Sequence, residues 1–266
     1  MFGAWRIGSM AGIPVKVHFT LLLLLPWLIN RYSTRLDGHW AAGALITLGL
    51  FGSVALHELG HALAARRFGV RTRDILLTPL GGVASLENMP RQPRAEIVIA
   101  LAGPAVSLVL AVLAWGGLYV TEAMRWRDGV WIAFALTFIN ASLLVFNLLP
   151  CFPMDGGRVL RAALIRRFGR LEATRRAVKL GTWLAIGLAA WGLYSGQWLT
   201  VAIAWFVHAA ARAEYRAVLI QEMPPQPSPL EMLFRMGGLG GMPPPPPPSS
   251  PRPPAEIIVG PPPYRR

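Results

Sequence analysis

A chain of 266 residues with 54% hydrophobic and only 15% charged residues, at a mean hydropathy of +0.45, does not have the composition of an ordinary soluble domain, in which about a quarter of residues are charged. The formal net charge is +13, but the basic residues stand between apolar stretches, a pattern that argues for membrane topology and anionic lipid heads and against nucleic acid as a partner. Cys151 is the single cysteine, which excludes an intrachain disulfide and a thiolate metal cluster.

Six apolar segments are expected to span the bilayer, at residues 12–29, 40–65, 97–120, 130–149, 178–194 and 198–211. Each approaches the roughly 20 residues needed to cross a ~30 Å hydrocarbon core. The first carries Lys16 and His18, and Asn30-Arg31-Tyr32 after it offers no small-residue cleavage site, so a retained span is expected rather than a signal peptide. Residues 70–88 are too polar to cross, and 72–78 and 82–86 read as short strands around Pro79 and Gly81. An exposed strand edge there would hold an unwound peptide by strand addition. Ser195-Gly196-Gln197 is short enough to make a hairpin of the last two spans. After Glu222 the chain turns to Pro and Gly, with Pro243 to Pro248 unbroken. Residues 1–222 therefore read as one membrane domain and 223–266 as a disordered or polyproline tail. That tail contains an apolar patch, Leu230 to Met236, and leaves a tail-binding partner open.

Charge sets the orientation. Arg66, Arg67, Arg71, Arg73, Arg91 and Arg94 fall on one side with Arg158, Arg161, Arg166 and Arg167, whereas the other side has only Arg31, Arg35, Arg125 and Arg127. The richer side is expected to be cytoplasmic, which places both termini of a multi-pass protein in the cytoplasm; a prokaryotic cell membrane is the expected location.

Within the second span lie His57-Glu58-Leu59-Gly60-His61, the only ionisable side chains between Ala41 and Ala65. An acidic residue at membrane depth costs roughly 2.5–3.5 kcal/mol on insertion scales, so such a cluster implies a use. Positions i and i+4 share a helix face, so His57 and His61 can grip one metal ion, and Glu58 can reach a water upon it. Catalytic zinc takes three protein ligands and keeps a fourth position open. Asp155 is the favoured third ligand. It follows the fourth span at the same depth, on a turn broken by Pro150 and Pro153 and freed by Gly156-Gly157. His18, entering its span from the same side, is the alternative; His208 and His39 are weaker.

With these residues the chain resembles the site-2 protease family of intramembrane zinc metalloproteases. The family pairs HExxH with N-x-x-P-x-x-P-x-D-G, matched here at His57, Glu58 and His61, then at Asn147, Pro150, Pro153, Asp155 and Gly156. Ala102-Gly103-Pro104 and Gly81-Gly82 also look like family features, and the likeness extends over residues 8–216. The resemblance implies one Zn2+ per chain on His57, His61 and Asp155, with Glu58 as general base and acid. It implies Asn147 as the donor to a developing oxyanion, with Asn140 a weaker candidate. The implied substrate is a membrane protein with a transmembrane helix, cut by a minimal catalytic core without PDZ or CBS domains. The expected fold is an all-α polytopic membrane protein of about six transmembrane helices with a small cytoplasmic β element. Two rival functions are an idle membrane scaffold, against which the intact His57, Glu58, His61 and Asp155 argue, and a membrane protease for soluble tails, which would usually add a downstream glutamate ligand.

Overall fold

The computed structural model describes residues 3–34, 38–79, 81–87 and 92–223. Arg35, Asp37, Arg91 and the tail beyond Met223, with its apolar patch and proline run, lie outside the described residues.

The N-terminus departs from the expected first span. Ile13, Val15 and Val17 alternate with half-buried Pro14, Lys16 and His18, a period of two that belongs to a strand. The chain therefore opens with strands β1 (Ala4–Met10) and β2 (Ile13–His18), and only then enters helix α1 (Phe19–Ser33). At 15 residues α1 is about 22 Å long, short of a ~30 Å core. The expected span at 12–29 is thus half strand and half short helix.

Helix α2 (Trp40–Arg67) follows, then strands β3 (Thr72–Thr78) and β4 (Gly81–Leu86), where the sequence places them to within a residue. The sheet order is β1-β2-β3-β4, with β2 and β3 parallel and the outer pairs antiparallel. The β element therefore has four strands, two of them unanticipated. Lys16 and Asp74 pair at 2.5 Å across the parallel β2–β3 junction, and this bond holds the Asp74 carboxyl below the usual carboxylate range. Ile13, Val15, Val17, Ile75 and Leu77 turn one face of the sheet onto Val54, Ala55 and Ala62 of α2. That packing fixes the sheet beside the HELGH turn.

Helices α3 (Pro93–Ala123) and α4 (Arg127–Asn147) come next, then α5 (Asp155–Tyr194) and α6 (Trp198–Glu222). Pro93 sits in the first turn of α3, where its missing N–H costs nothing. Gly169, at φ 75°, breaks α5 into two helices, and Gly196, at φ 68°, turns the expected α5–α6 hairpin. Among the described residues, α2, α3, α4 and α5 are long and apolar enough to cross a membrane.

An ion triad, buried at Arg161 and Glu96 and partly exposed at Glu214, ties α3, α5 and α6 together. Arg161 of α5, 2% exposed, donates to Glu96 of α3 through Nε at 2.6 Å and to Glu214 of α6 through Nη1 at 2.8 Å. Its guanidinium lies 4.9 Å from the Phe152 ring centroid, on the loop that leads to Asp155. Removing one member of such a buried pair typically costs about 3–5 kcal/mol, because the other charge is left uncompensated.

Candidate metal centre

Helix α2 delivers His57 and His61 from one face, one turn apart, and both are buried at 3% and 4% exposure. Asp155 meets them from the first turn of α5. The two Nε2 atoms are 3.1 Å apart, and Asp155 Oδ2 lies 3.3 Å from His57 Nε2 and 3.1 Å from His61 Nε2. Ligand atoms about 2.0–2.1 Å from a tetrahedral zinc ion stand about 3.3 Å from one another, so this triangle has the dimensions of one face of such a site. Two imidazoles and a carboxylate are also a donor set that suits zinc.

The outer contacts aim the rings. The Ile99 carbonyl of α3 accepts from His61 Nδ1 at 2.7 Å, which puts the proton on Nδ1 and leaves the Nε2 lone pair for a metal. His57 Nδ1 is 2.9 Å from Ser107 Oγ, so its Nε2 is likewise turned to the centre. Helix α3 comes this close because Gly103 has no side chain: a Cβ there would collide with Nε2 of both histidines. Gly60 faces the Ala102 carbonyl on the same seam. Helix α3 thus does more than pack closely, for the Ser107 hydroxyl and the Ile99 backbone carbonyl also orient the two imidazoles. Gly103→Ala is expected to lower bound metal sharply with little loss of helix content, measured as metal per chain beside circular dichroism.

On the other side of the loop, Gly156 and Gly157 lie against the carbonyls of Leu148, Leu149 and Cys151, where a Cβ would clash. The two glycines allow the 148–154 turn to fold tightly over the start of α5 and so set the position of Asp155.

Glu58 points to the sheet. The Ala84 N–H of β4 donates to its Oε2 at 3.0 Å, and a Cβ on Gly82 would strike its Cγ. A cavity of about 380 Å³ opens here, lined by His57, Glu58, His61, Asn147, Asp155 and Arg158 among others. Asn147 thus reaches the cavity, with its amide nitrogen donating to the Leu143 carbonyl at 2.9 Å. Asn140 is not in the lining; its amide donates to Ser53 Oγ at 3.0 Å and links α4 to α2. His18 is separate from the cluster and caps α1 through Thr20 N. His39 pairs with Asp128 at 2.7 Å, His208 lies on α6 outside the ligand triangle, and Cys151 is buried. Sequence reasoning missed the orienting role of Ser107 and the Glu96–Arg161–Glu214 triad. A carboxylate at the head of the third apolar segment was the available signal for the triad.

The sequence profile of Peptidase family M50 matches residues 45–130 and 123–189. The chain is 36% identical over 217 residues to zinc metalloprotease MJ0392 of Methanocaldococcus jannaschii, covering 81% of this chain and 62% of that protein. It is 32% identical over 181 residues to stage IV sporulation protein FB of Bacillus subtilis, covering 68% and 58%. It is also similar to the solved site-2 protease from Methanocaldococcus jannaschii, at 33% identity and a TM-score of 0.58, covering 80% of this chain and 95% of that one. The chain belongs to Peptidase family M50, and the resemblance read from the two motifs holds. It spans about three fifths of the length of the curated relatives it matches.

Proposed function

We propose that the protein is a zinc-dependent intramembrane endopeptidase that hydrolyses peptide bonds in or near transmembrane segments of membrane proteins. The observation that carries this reading is the buried triangle of His57 Nε2, His61 Nε2 and Asp155 Oδ2, inside apolar helices and adjacent to Glu58. One Zn2+ held there supplies a Lewis acid for the scissile carbonyl and acidifies a water.

The remaining work belongs to the chain. Glu58, with Oε2 held by Ala84 N–H, has Oε1 left to take the water proton and to return it to the leaving amine. Asn147 keeps one amide hydrogen beyond the bond to Leu143, and it donates to the oxyanion that develops on the substrate carbonyl. A helical peptide bond is shielded by its own hydrogen bonds, so the substrate must unwind first. Strand β4 ends the sheet and borders the cavity, which makes its backbone the surface on which an unwound segment is held.

The catalytic unit in this reading is residues 1–222, and 223–266 is a tail whose truncation after Glu222 is expected to leave zinc binding intact, since every proposed ligand precedes it. The partners are the bilayer and a membrane-protein substrate, with no nucleic acid. Both termini are cytoplasmic in a prokaryotic cell membrane: a reporter fused after Arg216 is expected to read cytoplasmic and one fused near Asp37 external. Opposite readings would turn the site to the other side of the membrane.

The test of function uses purified protein reconstituted with a transmembrane peptide. Chelation with phenanthroline should stop cleavage, and zinc in slight excess over the chelator should restore it. Cleavage that persists after the metal has been measurably removed would end the reading.

A further inference from the structure

A second site lies away from the metal cavity, and the two linings share no residue. Helices α5 and α6 run antiparallel, with Gly192 against Thr200 and Val201 next to the hairpin turn. Further from that turn they flank a groove of about 740 Å³. Arg175 and Lys179 of α5 and Arg212 and Arg216 of α6 line it, each pair spaced i, i+4 and so on one helix face. No acidic residue lines the groove among the described residues. Arg175 is engaged by Glu172 at 3.6 Å, whereas Lys179, Arg212 and Arg216 have no ion-pair partner among the described residues. Trp183 and Ile186 continue the wall one and two turns beyond Lys179, toward the hairpin turn, and are 71% and 52% exposed.

We propose that this groove binds an anionic phospholipid, with the phosphate among Lys179, Arg212 and Arg216 and an acyl chain along Trp183 and Ile186. The charge and the apolar wall point to one molecule. Three cations without an ion-pair partner among the described residues attract a phosphate, and basic pockets between membrane helices are built for anionic heads. A soluble acidic peptide would satisfy the cations but leave Trp183 and Ile186 in water. The apolar wall lies on the hairpin side, which on α5 is the apolar run 178–194, so head and chain meet the groove in the order a bilayer presents them.

The inference rests on the reading of α5 and α6 as membrane-embedded, which resistance to alkaline carbonate extraction tests separately. Lipid retention is read without peptidase activity, so it stands or falls apart from the catalytic assignment. Full-length protein is delipidated in detergent, offered equal phosphatidylglycerol and phosphatidylcholine of matched chains, and examined by native mass spectrometry. Phosphatidylglycerol should be retained in preference by about tenfold, and Lys179→Gln/Arg212→Gln/Arg216→Gln should erase the preference. The exposed triple Arg66→Gln/Arg67→Gln/Arg73→Gln, which removes the same charge elsewhere, should leave it intact. Should the first triple lose zinc or helix content, Arg216→Gln alone serves, with a smaller loss of preference. Equal retention of both lipids, equal loss in the control triple, or displacement by glycerol phosphate or polyglutamate at the lipid's own concentration would each overturn the proposal.

Discussion

Glu58→Gln is expected to reduce cleavage of a reconstituted transmembrane peptide by at least about 10²–10⁴-fold, the range that a general base contributes, while zinc per chain stays at the wild-type level. The amide has no site for the water proton at neutral pH, so both the activation of water and the later return of the proton to the amine are lost. Structure should survive the change. Glutamine keeps the volume of glutamate, and its side-chain oxygen can accept from Ala84 N–H as Glu58 does now at 3.0 Å. Strand β4 thus stays anchored to α2, and the ligands on the neighbouring face of the helix are untouched. The measurement is a single-turnover rate together with metal analysis of the same sample. Turnover at the wild-type rate would remove Glu58 from the mechanism, and loss of zinc would show that its carboxylate belongs to the metal's own shell. Because the variant should bind substrate without cutting it, the peptides that co-purify with it would also identify the substrate of the proposed activity.

How much of this was legible in the sequence depended on how far each signal stood out from its surroundings. His57, Glu58 and His61 did so fully, being the only ionisable groups in a run of apolar residues, and the helix period put both imidazoles on one face. Asp155 was legible through the Pro and Gly residues around it, which mark a turn that a membrane tolerates only where it is buried in protein or lines a wet cavity. Strands β3 and β4 were legible because 70–88 is too polar to cross. Strand β2 was not, because the leucine run after His18 merges with Ile13, Val15 and Val17 into one hydropathic stretch, and only the period separates them. The inward arginine was hidden for a related reason. Arg161 stands among many arginines that read as topology markers, and nothing local distinguishes the one that turns inward to Glu96. Its partner is 65 residues away, a contact that only the packing of α3 against α5 creates. Ser107 reads as a small packing residue on any helix; its bond to His57 Nδ1 follows from the closeness that Gly103 allows.

Asp155→Ala is expected to lower zinc affinity by well over the 10–100-fold that loss of an outer-shell partner costs, since in the proposed site it removes one of three protein ligands outright. Asp155→Asn should behave alike: it fills the same space at the start of α5 but gives up the negative charge that helps hold a divalent cation. The pair of variants separates ligation from packing, because only the alanine leaves a void between Gly156 and the histidines. His18→Ala supplies the contrast. His18 caps α1 through Thr20 N and lies outside the ligand triangle, so its loss should cost at most about 1–2 kcal/mol of stability, as for a helix cap, with no change in metal content. Equilibrium competition against a chelator of known affinity measures all three variants on the same scale. Near-wild-type zinc in both Asp155 variants, together with loss in the His18 variant, would move the third ligand to His18 at the end of β2. The 3.1–3.3 Å spacings among His57, His61 and Asp155 would then be a hydrogen-bonded cluster rather than a metal face. Zinc loss in the Asp155 variants alone would instead tie the turn after α4 to the HELGH helix through a shared ion, the link that sets the irregular segment beside Glu58.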